Sequence, residues 1–150
     1  MLIDFQTLLS DSQAFSATGV STNTMDMGSP TPKNDVGSGE PLAAVFTVEV
    51  AADLASGDET YQFQVIQSAN ANLSSQDVLL QTDTAYITKA ILVAGYQLVI
   101  PVPPDLVTKQ YLGIRLVLGG TTPTITISAS ILPLKAVKVG RMYAKGYTIS

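Results

Sequence analysis

Apolar and polar residues alternate at a period of two along most of this chain. VFTVEV (residues 45–50) sets Val45, Thr47 and Glu49 on one face and Phe46, Val48 and Val50 on the other. YQFQVIQ, from Tyr61, sends Tyr61, Phe63 and Val65 one way and Gln62 and Gln64 the other. YQLVIPV repeats the theme from Tyr96, and YLGIRLVL places Leu112, Ile114, Leu116 and Leu118 together. The clearest run is TITISASI, where Ile125, Ile127, Ala129 and Ile131 alternate with Thr126, Ser128 and Ser130. Such alternation predicts half-buried β-strands.

Breakers separate these runs at short spacing: ASGDE (55–59), SANANLSS (68–75), VPPD (102–105) and GGTTP (119–123). Glycine supplies positive φ there, and Asn, Asp and Pro set local bends. A 3.6-residue apolar stripe with caps at both ends is absent from every stretch of ten residues or more. Short strands with turns between them predict an all-β, antiparallel sandwich or barrel. The length fits one domain.

Two regions depart from this pattern. Residues 21–41, STNTMDMGSPTPKNDVGSGEP, are rich in glycine and proline, and residues 133–150, PLKAVKVGRMYAKGYTIS, are basic and interrupted by Gly140 and Gly146. The expected division is an N-terminal arm and loop (1–41), a sandwich core (42–132) and a C-terminal arm (133–150). Apolar anchors dot both extended regions: Met25, Met27, Val36 and Leu42 in one, Leu134, Val137, Val139, Met142, Tyr143, Tyr147 and Ile149 in the other. Anchors on an extended backbone point to docking against a surface.

Composition narrows the function. The chain has no cysteine, histidine or tryptophan. That excludes disulfides, thiolate chemistry, zinc–thiolate sites and the usual activator of a serine nucleophile. Charged residues make up 13%, against about 25% in ordinary domains. A chain this poor in charge leaves apolar or neutral polar surface exposed, which marks association. No apolar run approaches the roughly 18 residues of a membrane helix, so no membrane partner is expected. The charge is also uneven: residues 1–60 hold nine acids against Lys33, while residues 133–150 hold Lys135, Lys138, Arg141 and Lys145 and no acid. The basic stretch reads as a strap for an acidic surface. Direct nucleic-acid binding is not expected of a chain with pI near 4.5.

The stretch that most resembles a reactive loop is NDVGSGEPL (34–42). It lacks the glycine–lysine spacing of a phosphate loop, and Asp35 and Glu40 would repel a phosphate. Ser38 has no histidine to activate it, and neither Gly-x-Ser-x-Gly nor Ser-x-x-Lys occurs. The expected role is a shaped connector in which Gly37 and Gly39 turn the chain and Pro41 fixes its return at Leu42. Asp53, Asp58 and Glu59 flank a turn at Gly57 and read as a solvated loop, although paired carboxylates serve glycosidases. Calcium-loop spacing is missing. The expectation is no enzyme, no cofactor and no metal.

The same residues carry a resemblance. STNTMDMG (21–28), NDVGSGEPL, VAGYQLVIPVPPD (93–105), KQYLGIRLVLGG (109–120) and GRMYAKGYTIS (140–150) resemble the capsid cement, or decoration, proteins of podovirus-type tailed bacteriophages. The resemblance implies a jelly-roll-like antiparallel β-sandwich with extended N-terminal and C-terminal arms. It also implies a homo-oligomer, dimer or trimer, on the outer surface of the virion, clamping an HK97-type major capsid protein. The expected capsid and self contacts are Met25, Met27, Val36, Gly37, Gly39, Glu40, Pro41, Lys135, Lys138, Arg141, Tyr143, Lys145 and Tyr147. A carbohydrate- or host-surface-binding jelly-roll module is the alternative, since lectins share that architecture; the lack of tryptophan counts against it.

Overall fold

Strand pairing in this protein is nested: first strand with last, and each inner pair inside the one before. The structure is a computed structural model that describes residues 6–28, 40–83 and 88–137. Its strands are β1 (Leu8–Phe15), β2 (Gly19–Val20), β3 (Met25–Asp26), β4 (Leu42–Val50), β5 (Thr60–Ser68), β6 (Asp77–Gln81), β7 (Gln97–Pro101), β8 (Tyr111–Gly119) and β9 (Ile125–Pro133). β1 pairs with β9, β2 and β3 with β8, β4 with β7, and β5 with β6, all antiparallel. Folding this long hairpin over itself adds the pairs β4–β9 and β5–β8. The result is one sheet ordered β1-β9-β4-β7 and a second ordered β2-β8-β5-β6, with β3 continuing along β8. That is jelly-roll topology.

The period-two pattern builds the core. Phe46 and Val48 of β4 face Tyr61, Phe63 and Val65 of β5, with Leu112, Ile114 and Leu116 of β8 and the isoleucines of β9 in the same cluster. Phe46 and Phe63 meet edge to face, ring centres 5.2 Å apart at 76°, a favoured quadrupolar arrangement. Val50 departs from its expected face: a register shift between Val48 and Val50 turns it outward, to 59% exposure. Bulges do this by inserting one residue into the alternation.

The N-terminal segment is extended, but it lies within the sheets. Residues 8–26 supply three strands, so the core begins at Leu8 and not at Leu42. Two register shifts in β1 and a left-handed Ser12 (φ 44°) erase its period-two signature. Ser12 compensates by donating its backbone N–H to Ser128 Oγ at 2.9 Å. The C-terminal arm is corrected at its root as well. Residues 134–137 form a helical turn, and Val137 is buried with Val45 and Leu132 on the outer face of the first sheet.

The outer face of the second sheet is closed in part by residues 69–76. Leu73, at φ 58° and 1% exposure, fills the space left by Gly113. A Cβ on Gly113 would lie 2.5 Å from Leu73 Cδ1. Ser68 Oγ holds this loop by donating to Ser74 O (2.5 Å) and accepting the Asn70 N–H (3.0 Å). Among the described residues no helix is long and apolar enough to cross a membrane.

Candidate partner-binding surface

Loops collect at the two ends of the strands. Leu42 pairs with Pro133 and Ala43 with Pro101, while Ser68 and Asp26 both pair with Tyr111. These registers gather residues 24–28, 40–42, 69–76, 102–110 and 133–135 at one end. Pro41 O accepts the Leu134 N–H at 2.7 Å, so three expected contact residues, Glu40, Pro41 and Lys135, emerge together and exposed. Leu106 is exposed at the same end, at 54%.

Met25 and Met27 are placed differently from expectation. Met25 is half-buried and packs against the core, and Met27 is 1% exposed inside it. Pairing of β3 with β8 fixes this arrangement: Met25 lies opposite the core residue Leu112, and Met27 donates its N–H to Gln110 O at 2.7 Å. Met27 is therefore an internal anchor in this fold, buried where an exposed contact was expected. Beside Met25 a cleft of about 370 Å³ is lined by Gln6, Thr7, Thr24, Met25 and Asp26. The Asp26 carboxylate accepts the Gly28 N–H (2.8 Å) and the Gln110 amide (3.2 Å). Val36, Gly37, Gly39, Lys138, Arg141, Tyr143, Lys145 and Tyr147 lie outside the described residues.

Of the acids at the opposite end, Asp58 is exposed, as in a solvated loop, whereas Glu59 is not. Glu59 is buried and receives Lys89 Nζ at 2.6 Å and the Ser56 N–H at 2.7 Å. The hydrogen bond from Lys89 holds its carboxyl down to about 2. Asp58 accepts both the N–H and the hydroxyl of Thr121, at 3.0 and 2.9 Å, and these bonds lower its pKa. A side chain on Gly120 (φ 89°) would collide with the Asp58 carbonyl. These carboxylates are consumed in tying turns together. The same end exposes apolar Val50, Leu54, Ile91 and Val93, on two segments joined by the Ala52 N–H to Leu92 O bond.

A third surface was not visible in the sequence. On the outer face of the second sheet, Val20, Arg115, Gln64 and Gln81 form one row across β2, β8, β5 and β6, with Val117 and Gln62 in the next. Gln64 donates to Gln62 Oε1 (3.3 Å) and Gln81 Oε1 (2.8 Å), making an amide ladder. Sequence reading left Gln62 and Gln64 as the polar side of a strand. Only the register, which sequence alone did not supply, sets Arg115 beside them.

Among the described residues no three acids converge as a metal site, and the features that set this molecule apart lie on its surface. The class so defined is a jelly-roll β-sandwich of two antiparallel sheets around one core. The family model for Bbp16 matches residues 9–131, nearly the whole sandwich, and the chain belongs to this phage-associated family. Among solved structures it is similar to the xylan-binding module CBM15, at 19% identity over 78% of this chain and 76% of that one, TM-score 0.43. It is also similar to a xylanase 10C mutant from Cellvibrio japonicus in complex with xylopentaose (17% identity, 77% of this chain, TM-score 0.41). A third similarity is to the infectious bursal disease virus Gt strain structure (12% identity, 83% of this chain, TM-score 0.33). The chain spans 22% of that xylanase chain and 30% of the viral one. No curated protein matches it.

Proposed function

We propose that this protein is a structural component of a phage particle. It binds the outer surface of an HK97-type major capsid protein shell and clamps neighbouring subunits around the packaged DNA. Membership of the phage-associated Bbp16 family across residues 9–131 carries the reading. The nested pairing supports it: β1 is hydrogen-bonded to β9 and β9 to β4, so the first and last strands lie side by side in a continuous sheet suited to bearing load. Gly28, Glu40 and Pro133 all lie at one end of the sandwich. The two stretches with contact-like sequence are thus rooted side by side, next to exposed Glu40, Pro41 and Lys135.

The mechanism is mass action. A protein that binds only the assembled lattice stabilises it in proportion to its occupancy. As a dimer or trimer it multiplies modest contacts through effective concentration. No step of this role calls on a nucleophile, cofactor or metal.

Co-sedimentation of the full chain with purified heads lacking it tests the proposal. The expected result is saturable binding, with heads that retain DNA at higher temperature. Lys135→Glu and Pro41→Gly should reduce occupancy. Absence of binding by the unaltered chain would overturn the reading.

A further inference from the structure

Arg115 stands out on the outer face of the second sheet. Leu112, Ile114 and Leu116 of its strand face the core, so alternation directs Arg115 outward. It is the only charged residue among Val20, Gln62, Gln64, Gln81, Arg115 and Val117. It is half-buried and makes no ion pair among the described residues. A guanidinium stays charged and offers five donors in a planar fork matched to a carboxylate.

A second observation lies beside it. Gln64, the register partner of Arg115, is 5% exposed, and its Oε1 has no hydrogen-bond partner. Both amide hydrogens of Gln64 are engaged by Gln62 and Gln81. The ladder therefore fixes the amide and leaves an acceptor that can orient one edge of the guanidinium. One row away, Leu73 sits over Gly113 and walls the floor. Buried polar groups are normally satisfied, and an exception calls for a cause.

We propose that this face is a second contact with the shell protein, besides the end that carries Glu40, Pro41 and Lys135, with Arg115 receiving an aspartate or glutamate carboxylate from it. The inference rests on the reading that the chain binds a protein shell, and it names the face and the chemistry. Neutral amides and valines around one arginine match an interface centre, where most charges are depleted but arginine is enriched. A glycan is disfavoured because none of the six residues is aromatic, and Tyr111, on the same face of β8, is separated from Arg115 by Leu73 over Gly113. Nucleic acid is disfavoured by a single positive charge on an acidic chain.

The test uses the full chain and heads lacking it. Arg115→Gln should weaken co-sedimentation about tenfold or more, the scale of one lost charge-assisted hydrogen bond. Arg115→Lys should restore only part of the binding. Gln64→Glu supplies a competing carboxylate within the face and should weaken binding while the protein stays folded. Phenylglyoxal labelling of the unaltered chain, read by mass spectrometry, should show Arg115 protected in the complex. Wild-type binding matched by both Arg115 variants, or equal labelling free and bound, would overturn the inference and leave the shell-binding role standing. No binding by the wild type overturns both. Glycan-array binding that is lost in Arg115→Gln would overturn the protein partner in favour of a saccharide.

Discussion

Lys89 Nζ lies 2.6 Å from Glu59 Oε2, and the Glu59 side chain is fully buried. The pair fastens the single helical turn Lys89–Ile91 to the approach of β5. The hydrogen bond from Lys89 is the main reason the Glu59 carboxyl titrates near 2 and not near its usual 4.5. A folded-state pKa below the unfolded value means the stabilisation is complete above about 4.5 and is lost as pH falls toward 2. Asp58 is shifted in the same direction by its two hydrogen bonds from Thr121, so its contribution is likewise lost on acidification. Glu59→Gln should melt below the wild type at pH 7, and the difference should shrink as pH drops to 2. Lys89→Met should be worse at pH 7, because it leaves a carboxylate buried without its cation. Melting followed by circular dichroism from pH 7 to 2 checks both; parallel curves for wild type and Glu59→Gln would remove the pair as the cause.

Gly113 and Leu73 form a lock whose two halves are separable by mutation. Gly113→Ala places a methyl 2.5 Å from Leu73 Cδ1 and should cost about 1–3 kcal/mol from overpacking. Leu73→Ala should cost about 2–5 kcal/mol through the cavity it leaves. The double variant should be more stable than the sum of the two losses allows, since the new methyl partly fills the new space. Urea denaturation of the three variants measures the coupling. Strict additivity would mean the two residues do not share that space.

Tyr61 is a core residue with a polar task. Its ring is buried at 1% exposure, while its hydroxyl accepts the Thr124 N–H at 3.2 Å and reaches the carbonyls of Thr124 (3.1 Å) and Asp53 (3.2 Å). Burial pushes the phenol pKa up, so the neutral form persists across the working range. Tyr61→Phe keeps the ring but strands a backbone donor and should cost about 1–3 kcal/mol. A urea midpoint unchanged within error would show that water replaces the hydroxyl without loss.

The sequence made the sandwich legible wherever strands kept strict alternation. β5 and β9 bury the faces that YQFQVIQ and TITISASI mark, because a two-residue period maps directly onto two sides of a sheet. β1 was hidden for the converse reason: two register shifts and left-handed Ser12 break the period inside the strand. β2 and β3 are two residues each, too short to carry a pattern. β6 was hidden behind a breaker-rich loop and its own bulge. At the surface, the exposure of Glu40 and Pro41 was legible from the turn residues around them. Arg115 with the glutamine ladder was not, because cross-strand neighbours depend on register, and here each neighbour is about 20 to 95 residues away in sequence.

Met27 and Lys135 separate internal anchoring from external contact. Both lie in segments expected to dock outward, yet Met27 is 1% exposed and Lys135 is exposed. Met27→Ala removes a side chain from the closed core and should destabilise the fold by about 2–5 kcal/mol. Lys135→Ala leaves the core untouched and should change stability by no more than about 0.5 kcal/mol. Shell binding should respond in the opposite order: Met27→Ala should bind normally at temperatures where it remains folded, and Lys135→Ala should show lower occupancy that converges with the wild type in high salt. Unfolding midpoints and head co-sedimentation on the same two variants test both halves. Loss of binding in folded Met27→Ala would mean that the β3 segment opens to meet the shell, since only then would that side chain reach a partner.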